Sequence, residues 1–226
     1  MILLENKWDD YLTQTFITGI GETLLMVLIT LGIGGLLGMV LGVTLYGTRQ
    51  GGLLANRPVY SVLSSIVNVI RPIPFIIFLV LCKPLTMAVM NGHYIGTIPA
   101  TFPMVIVCTV ATSRIVEQSL IATDPGIVEA ARAMGASRLH ILFRILVPEA
   151  LAPLILGYTF LFVGVLDLSA VAGAVSAGGL GQFALSDGYR RFNDWVVWAA
   201  CLVMIILVQS MQWLGNVLAK WVLRKR

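Results

Sequence analysis

From Thr23 to Thr48 the chain runs without one charged residue. A helix needs about 20 apolar residues to cross ~30 Å of hydrocarbon, at ~1.5 Å rise per residue. Further apolar runs follow, and together they predict five spans, over residues 17–46, 58–82, 95–118, 150–175 and 195–219. Only 12% of the 226 residues are charged, where soluble domains carry about 25%. The mean hydropathy is +0.92. The expected fold class is therefore all-α, a polytopic membrane protein. No stretch between the spans is long enough to bury a core of its own.

Charge placement orients the spans. Arg49, Arg57, Arg132, Arg138, Arg144, Lys220, Arg224, Lys225 and Arg226 lie on one side of the predicted membrane; Lys7, Lys83, Arg190 and Arg191 lie on the other. Basic residues concentrate in the cytoplasm, so the N-terminus is expected outside and the C-terminus inside. Residues 1–16 are acidic rather than basic, unlike a signal peptide, and read as an uncleaved extracytoplasmic segment. Residues 17–219 form the membrane domain and 220–226 a basic cytoplasmic tail. The net charge of +4 is spread over these loops and suggests no nucleic-acid partner. Cys82, Cys108 and Cys201 sit in apolar runs with no CxxC, as small buried hydrophobes do. His93 and His140 are isolated, which is no metal-site spacing.

One cytoplasmic stretch, EAARAMGASRLHILFRILVPEA from Glu129 to Ala150, breaks the apolar pattern. Asp124-Pro125 is a helix start, with a side-chain oxygen for free N–H groups and proline at the first position. Gly135 suits the left-handed residue that ends a helix; Ser137 can cap a second helix, which Pro148 terminates or kinks. Ile127, Ala130, Ala131 and Met134 recur at helical spacing and predict one small apolar face. Two uses fit. An amphipathic helix can lie on the lipid surface, or a slim knob can seat in a cytoplasmic partner.

The order Glu129-Ala130-Ala131, then Gly135, Ile145 and Pro148, resembles the EAA loop of ABC importer permeases, with Val147 where leucine is usual. The resemblance covers about residues 16–219. Gly21-Glu22-Thr23-Leu24 looks like the start of that permease domain. Arg71-Pro72-Ile73-Pro74-Phe75-Ile76-Ile77, Ser169–Val175, Gly178-Gly179-Leu180-Gly181 and Gly188-Tyr189-Arg190-Arg191-Phe192 are similar to stretches of methionine-type permeases. That resemblance implies the five-span type I importer fold. It also implies a bacterial inner-membrane homodimer working with two cytoplasmic ABC ATPase subunits and an extracytoplasmic substrate-binding lipoprotein, to carry methionine or a related amino acid. It places the coupling loop at residues 122–149, with Glu129, Ala130, Ala131, Arg132, Met134 and Gly135 meeting the ATPase. No GxxxxGK[ST] loop is present. ATP is thus expected on the partner, with no cofactor and no catalysis in this chain.

Polar groups inside the spans are candidate pathway residues. Arg71 stands where Pro72 and Pro74 break span two; it either serves a structural kink, capping freed carbonyls or pairing with a nearby acid, or meets a substrate carboxylate. Asp167 in span four either holds a substrate ammonium, pairs with Arg71, or faces a polar outer mouth. Methionine-type permeases usually carry an uncharged residue there, so Asp167 bears on substrate choice. Ser169, Val171 and Gly173 belong to a small-residue run, up to Gly181, that suits a gate or plain close packing. Arg114 and Glu117 read as an ion pair. Gly34, Gly38 and Gly42 form a ladder for close helix approach. An ion-driven transporter using Asp167 and the broken span is the alternative reading.

Overall fold

The protein is described by a computed structural model covering residues 2–224, with side chains from Asp10 onward. Lys225 and Arg226 lie outside the described residues, as does the side chain of Lys7. No strand is present among the described residues. The main helices are α1 (Ile2–Ile29), α2 (Gly35–Thr48), α3 (Arg57–Ile70), α4 (Phe75–Leu81), α5 (Lys83–Val89) and α6 (Thr97–Ile121). They continue with α7 (Pro125–Ala133), α8 (Arg138–His140), α9 (Val147–Glu149), α10 (Leu151–Ala174), α11 (Gly179–Gln182) and α12 (Asp194–Arg224).

Among the described residues, four helical stretches are long and apolar enough to cross a membrane: Asp10–Thr48, Thr97–Ile121, Leu151–Ala174 and Asp194–Arg224. The pair α3 and α4 makes a fifth if counted as one broken span. The break falls where the prolines predict it: α3 stops at Ile70 and α4 resumes at Phe75. Helix α1 already begins at Ile2, ahead of the expected span start. Pro148 does not stop the chain's helical course. A wide π-turn over Ile141–Leu146 precedes it, and the extra residue in such a turn gives room for a ring that would clash with the carbonyl four residues back. Helix α10 then starts at Leu151.

The chain divides into two compact units. One gathers Met1–Gly32, Pro74–Ile106 and Phe162–Ser210; the other gathers Ile33–Ile73, Val107–Leu161 and Met211–Arg226, as far as these are described. Within the second unit the glycine ladder works as close packing. A Cβ on Gly42 would lie 2.5 Å from the Ser113 carbonyl oxygen and 2.6 Å from Val116 Cβ, so α2 and α6 touch almost backbone to backbone. Gly38 meets Thr109 and Thr112 of the same helix. The third contact glycine is Gly35, which faces the Tyr158 ring and accepts a 2.7 Å hydrogen bond from its hydroxyl. Gly34 instead closes the π-turn Thr30–Gly34.

Candidate functional sites: a capped loop helix and a glycine-rich turn

Helix α7 is built by its own ends. Asp124 Oδ1 accepts from Gly126 N–H at 2.8 Å, and Pro125 occupies the first position. At the other end Gly135 adopts φ +78°. The Ala136 N–H donates to the Ala131 carbonyl at 3.0 Å and the Gly135 N–H to the Arg132 carbonyl at 2.9 Å. This double bond pattern is a Schellman stop, usually sealed by an apolar contact across it. Ala136 and Ala131 supply that contact, packed in one cluster with Tyr46, Leu53, Ile141 and Leu146. Ser137 Oγ then accepts from His140 N–H at 3.4 Å to start α8.

The orientation of α7 corrects the expected apolar face. Ala131 is buried at 2% exposure and Val128 packs beside it, so the inward face is Val128 and Ala131. Ala130 and Met134 point outward, Met134 at 79% exposure. Glu129, Arg132 and Gly135 are exposed too. Of the six residues assigned to coupling, five are open to a partner, and Ala131 instead fastens the helix to its own chain.

A second construction lies in the other unit. Ser176, Gly178 and Gly179 all take positive φ, at +66°, +90° and +77°. The backbone donors this turn frees are taken up by α1 and by the turn's own helix. Glu22 Oε2 accepts from Gly179 N–H at 2.6 Å, Thr23 Oγ1 from Leu180 N–H at 2.8 Å, and Gln182 Oε1 from Gly178 N–H at 2.9 Å. The φ of Gly178 favours glycine, and a Cβ there would sit 2.5 Å from Glu22 Oε2, so a side chain would also displace the carboxylate that accepts from Gly179. Gly173 packs against the Gly181–Gln182 backbone, and Gly181 against Ala170. Ser169 is buried and donates to the Leu166 carbonyl at 2.6 Å, while Val171 is half-buried. The small-residue run is thus close-packed in this structure. Beside it a recess of about 520 Å³ is lined by Tyr11, Thr15, Thr18, Glu22 and Asp187, among others. Asp187 is buried and pairs with Arg191 at 3.4 Å.

Asp167 is exposed on α10, and Arg71 is exposed at the end of α3; neither makes an ion pair among the described residues. Arg114 and Glu117 do pair, at 2.5 Å. Arg114 also donates to Ser64 Oγ at 2.8 Å and Asn68 Oδ1 at 2.7 Å, joining α6 to α3. Glu22, Thr23, Gln182, Ser64 and Asn68 make site contacts that the sequence pattern does not single out. The signal available for the first two was a polar pair opening a long uncharged run.

One span broken at prolines, glycine-mediated helix contacts and a capped loop helix define an all-α polytopic membrane subunit. Residues 34–224 match the family described as binding-protein-dependent transport system inner membrane component, and the chain belongs to that family. It is 35% identical over 214 residues to the probable D-methionine transport system permease protein MetI of Vibrio cholerae, covering 95% of each chain. It is 36% identical over 174 residues to the methionine import system permease protein MetP of Bacillus subtilis, covering 77% of this chain and 78% of that one. Among solved structures it superimposes on a chain of the MetNI methionine ABC transporter in an inward-facing conformation. The TM-score is 0.89 and the identity 36%, over 92% of this chain and 96% of that one. An amino acid ABC transporter crystallised with histidines shares the fold, at TM-score 0.77 and 21% identity over 95% and 96% of the two chains.

Proposed function

We infer that this chain is the translocating subunit of an ATP-driven importer carrying methionine or a closely related amino acid. The observation that carries this reading is α7. It is a short helix capped at both ends, fastened inward by Ala131, with Glu129, Ala130, Arg132 and Met134 free on its outer face. A helix held this rigidly transmits displacement, where a loose loop would absorb it. Two copies pair, each presenting α7 to one of two cytoplasmic ATPase subunits; an extracytoplasmic binding lipoprotein delivers substrate. ATP closure moves α7, and the passage alternates between outward and inward access. Allosteric coupling of this kind needs an element that contacts its partner differently in two states.

The names and extents of the relatives support methionine as the cargo. The N-terminus outside and the C-terminus inside follow from the arginine and lysine distribution. The test is uptake of labelled methionine into proteoliposomes holding the chain, its ATPase and its binding protein, with and without ATP. Uptake that requires ATP and the binding protein is expected. Glu129→Lys is expected to abolish co-purification of the ATPase while leaving the permease folded. Uptake driven by an ion gradient without ATP would overturn the reading.

A further inference from the structure

Helix α3 has three distinct faces. At about 100° per residue, Val67 is fully buried, packed with Leu45 and Val110 and flanked by Tyr60, Leu63 and Ile70. Val59, Val62, Ile66 and Val69 form an exposed apolar face. Ser61, Ser65, Asn68 and Arg71 are exposed as well, and with Ser64 they share one polar arc about 120° wide. Measured from Arg57, these side chains sit about 6, 12, 17 and 21 Å along the helix axis. With Arg57 at the surface of a hydrocarbon layer ~30 Å thick, Ser65, Asn68 and Arg71 lie within it.

Polar groups at such depth do not face lipid; they turn to protein or to water. A dry seam with the same face of a second copy would bring Arg71 toward its own equivalent, and among the described residues of the chain no acid pairs with it. Like charges in a low-dielectric seam repel strongly, whereas water between them screens the repulsion. Arg114 holds Ser64 and Asn68 on this face, and so fixes its direction.

We propose that the polar face of α3, formed by Ser61, Ser65, Asn68 and Arg71, lines the water-filled passage, and that Val62, Ile66 and Val69 face acyl chains. The passage takes a small hydrated zwitterion, whose carboxylate finds a positive wall at Arg71. This rests on the permease reading above.

The test places single cysteines at Ser61, Ser65, Val62, Ile66 and Val69 in the full transporter complex in proteoliposomes, after replacing Cys201, the exposed native thiol. Modification by a charged thiosulfonate is timed. Ser61 and Ser65 lie outside the Arg114 hydrogen bonds, so their cysteine variants keep the fold. Ser61→Cys and Ser65→Cys are expected to react about a hundredfold faster than the three apolar positions, the ratio set by excluding a charge from hydrocarbon. Methionine is expected to slow both. Equal rates at all five positions would overturn the proposal. So would a Ser65→Cys that resists the reagent and cross-links to its own copy, because that marks a dry seam. ATP-dependent uptake is measured in the same vesicles. Its absence in the parent would refute the permease reading, while inert serine positions in transporting vesicles would refute only this one.

Discussion

An alanine at Gly42 adds one methyl group where α2 and α6 meet almost backbone to backbone. The new Cβ would lie 2.5 Å from the Ser113 carbonyl oxygen and 2.6 Å from Val116 Cβ. Comfortable contact between carbon atoms is about 3.5–4.0 Å, so the deficit is about 1 Å. Neither obstacle is the loose end of a side chain: one is backbone and the other is attached to it. Helix α6 must therefore retreat, and overpacking of this kind costs about 1–3 kcal/mol. For a chain of this length, ~2 kcal/mol corresponds to a melting shift of about 4–8 °C. The assay is thermal unfolding of the purified chain in detergent, read by a thiol-reactive dye on a Cys82→Ala, Cys201→Ser background. Cys108, on α6 and 1% exposed, reports directly on that helix's loosening. Gly21→Ala is the control, since nothing lies within 4 Å of its added Cβ. Alanine in a helix gains up to ~1 kcal/mol over glycine, so this variant should melt at or above the parent. If Gly42→Ala also melts no lower than the parent, the backbone contact between α2 and α6 is not as described.

Three further outcomes follow from named contacts. Gly135→Ala forces a side chain into φ +78°, at a cost of about 1–2 kcal/mol. It should weaken ATPase association more than Gly135→Asn does, as measured by co-purification. Ala131→Leu and Ala130→Leu should separate cleanly. The first overfills the cluster around Tyr46 and Leu146 and lowers the melting temperature, while the second leaves melting unchanged and reduces ATPase binding. Arg114→Ala strands Glu117, whose side chain is 6% exposed, at a cost of about 3–5 kcal/mol. Arg114→Met with Glu117→Leu should recover most of that loss in the same melt.

The features readable from sequence were those decided within a few residues. Asp124, Pro125, Gly135 and Ser137 act on their own neighbours, and each is found doing what its chemistry dictates. Pro72 and Pro74 break α3 because a missing N–H needs no distant partner to take effect. The inward face of α7 departs from the one its spacing predicts, for the complementary reason. Alanine has little preference between lipid, core and partner, so spacing alone could not say that Ala131 turns inward while Ala130 turns out. Arg114 shows the same boundary inside one residue. Its pairing with Glu117 is set by helical spacing, whereas its bonds to Ser64 and Asn68 reach some 50 positions back in the chain. Glu22 and Thr23 serve donors 157 positions away, on a glycine turn whose need for acceptors arises only once the turn has formed. A buried N–H with no helical partner must find an oxygen somewhere. The glycine pair at 178–179 therefore announces the demand, while the fold alone decides that Glu22 and Thr23 meet it.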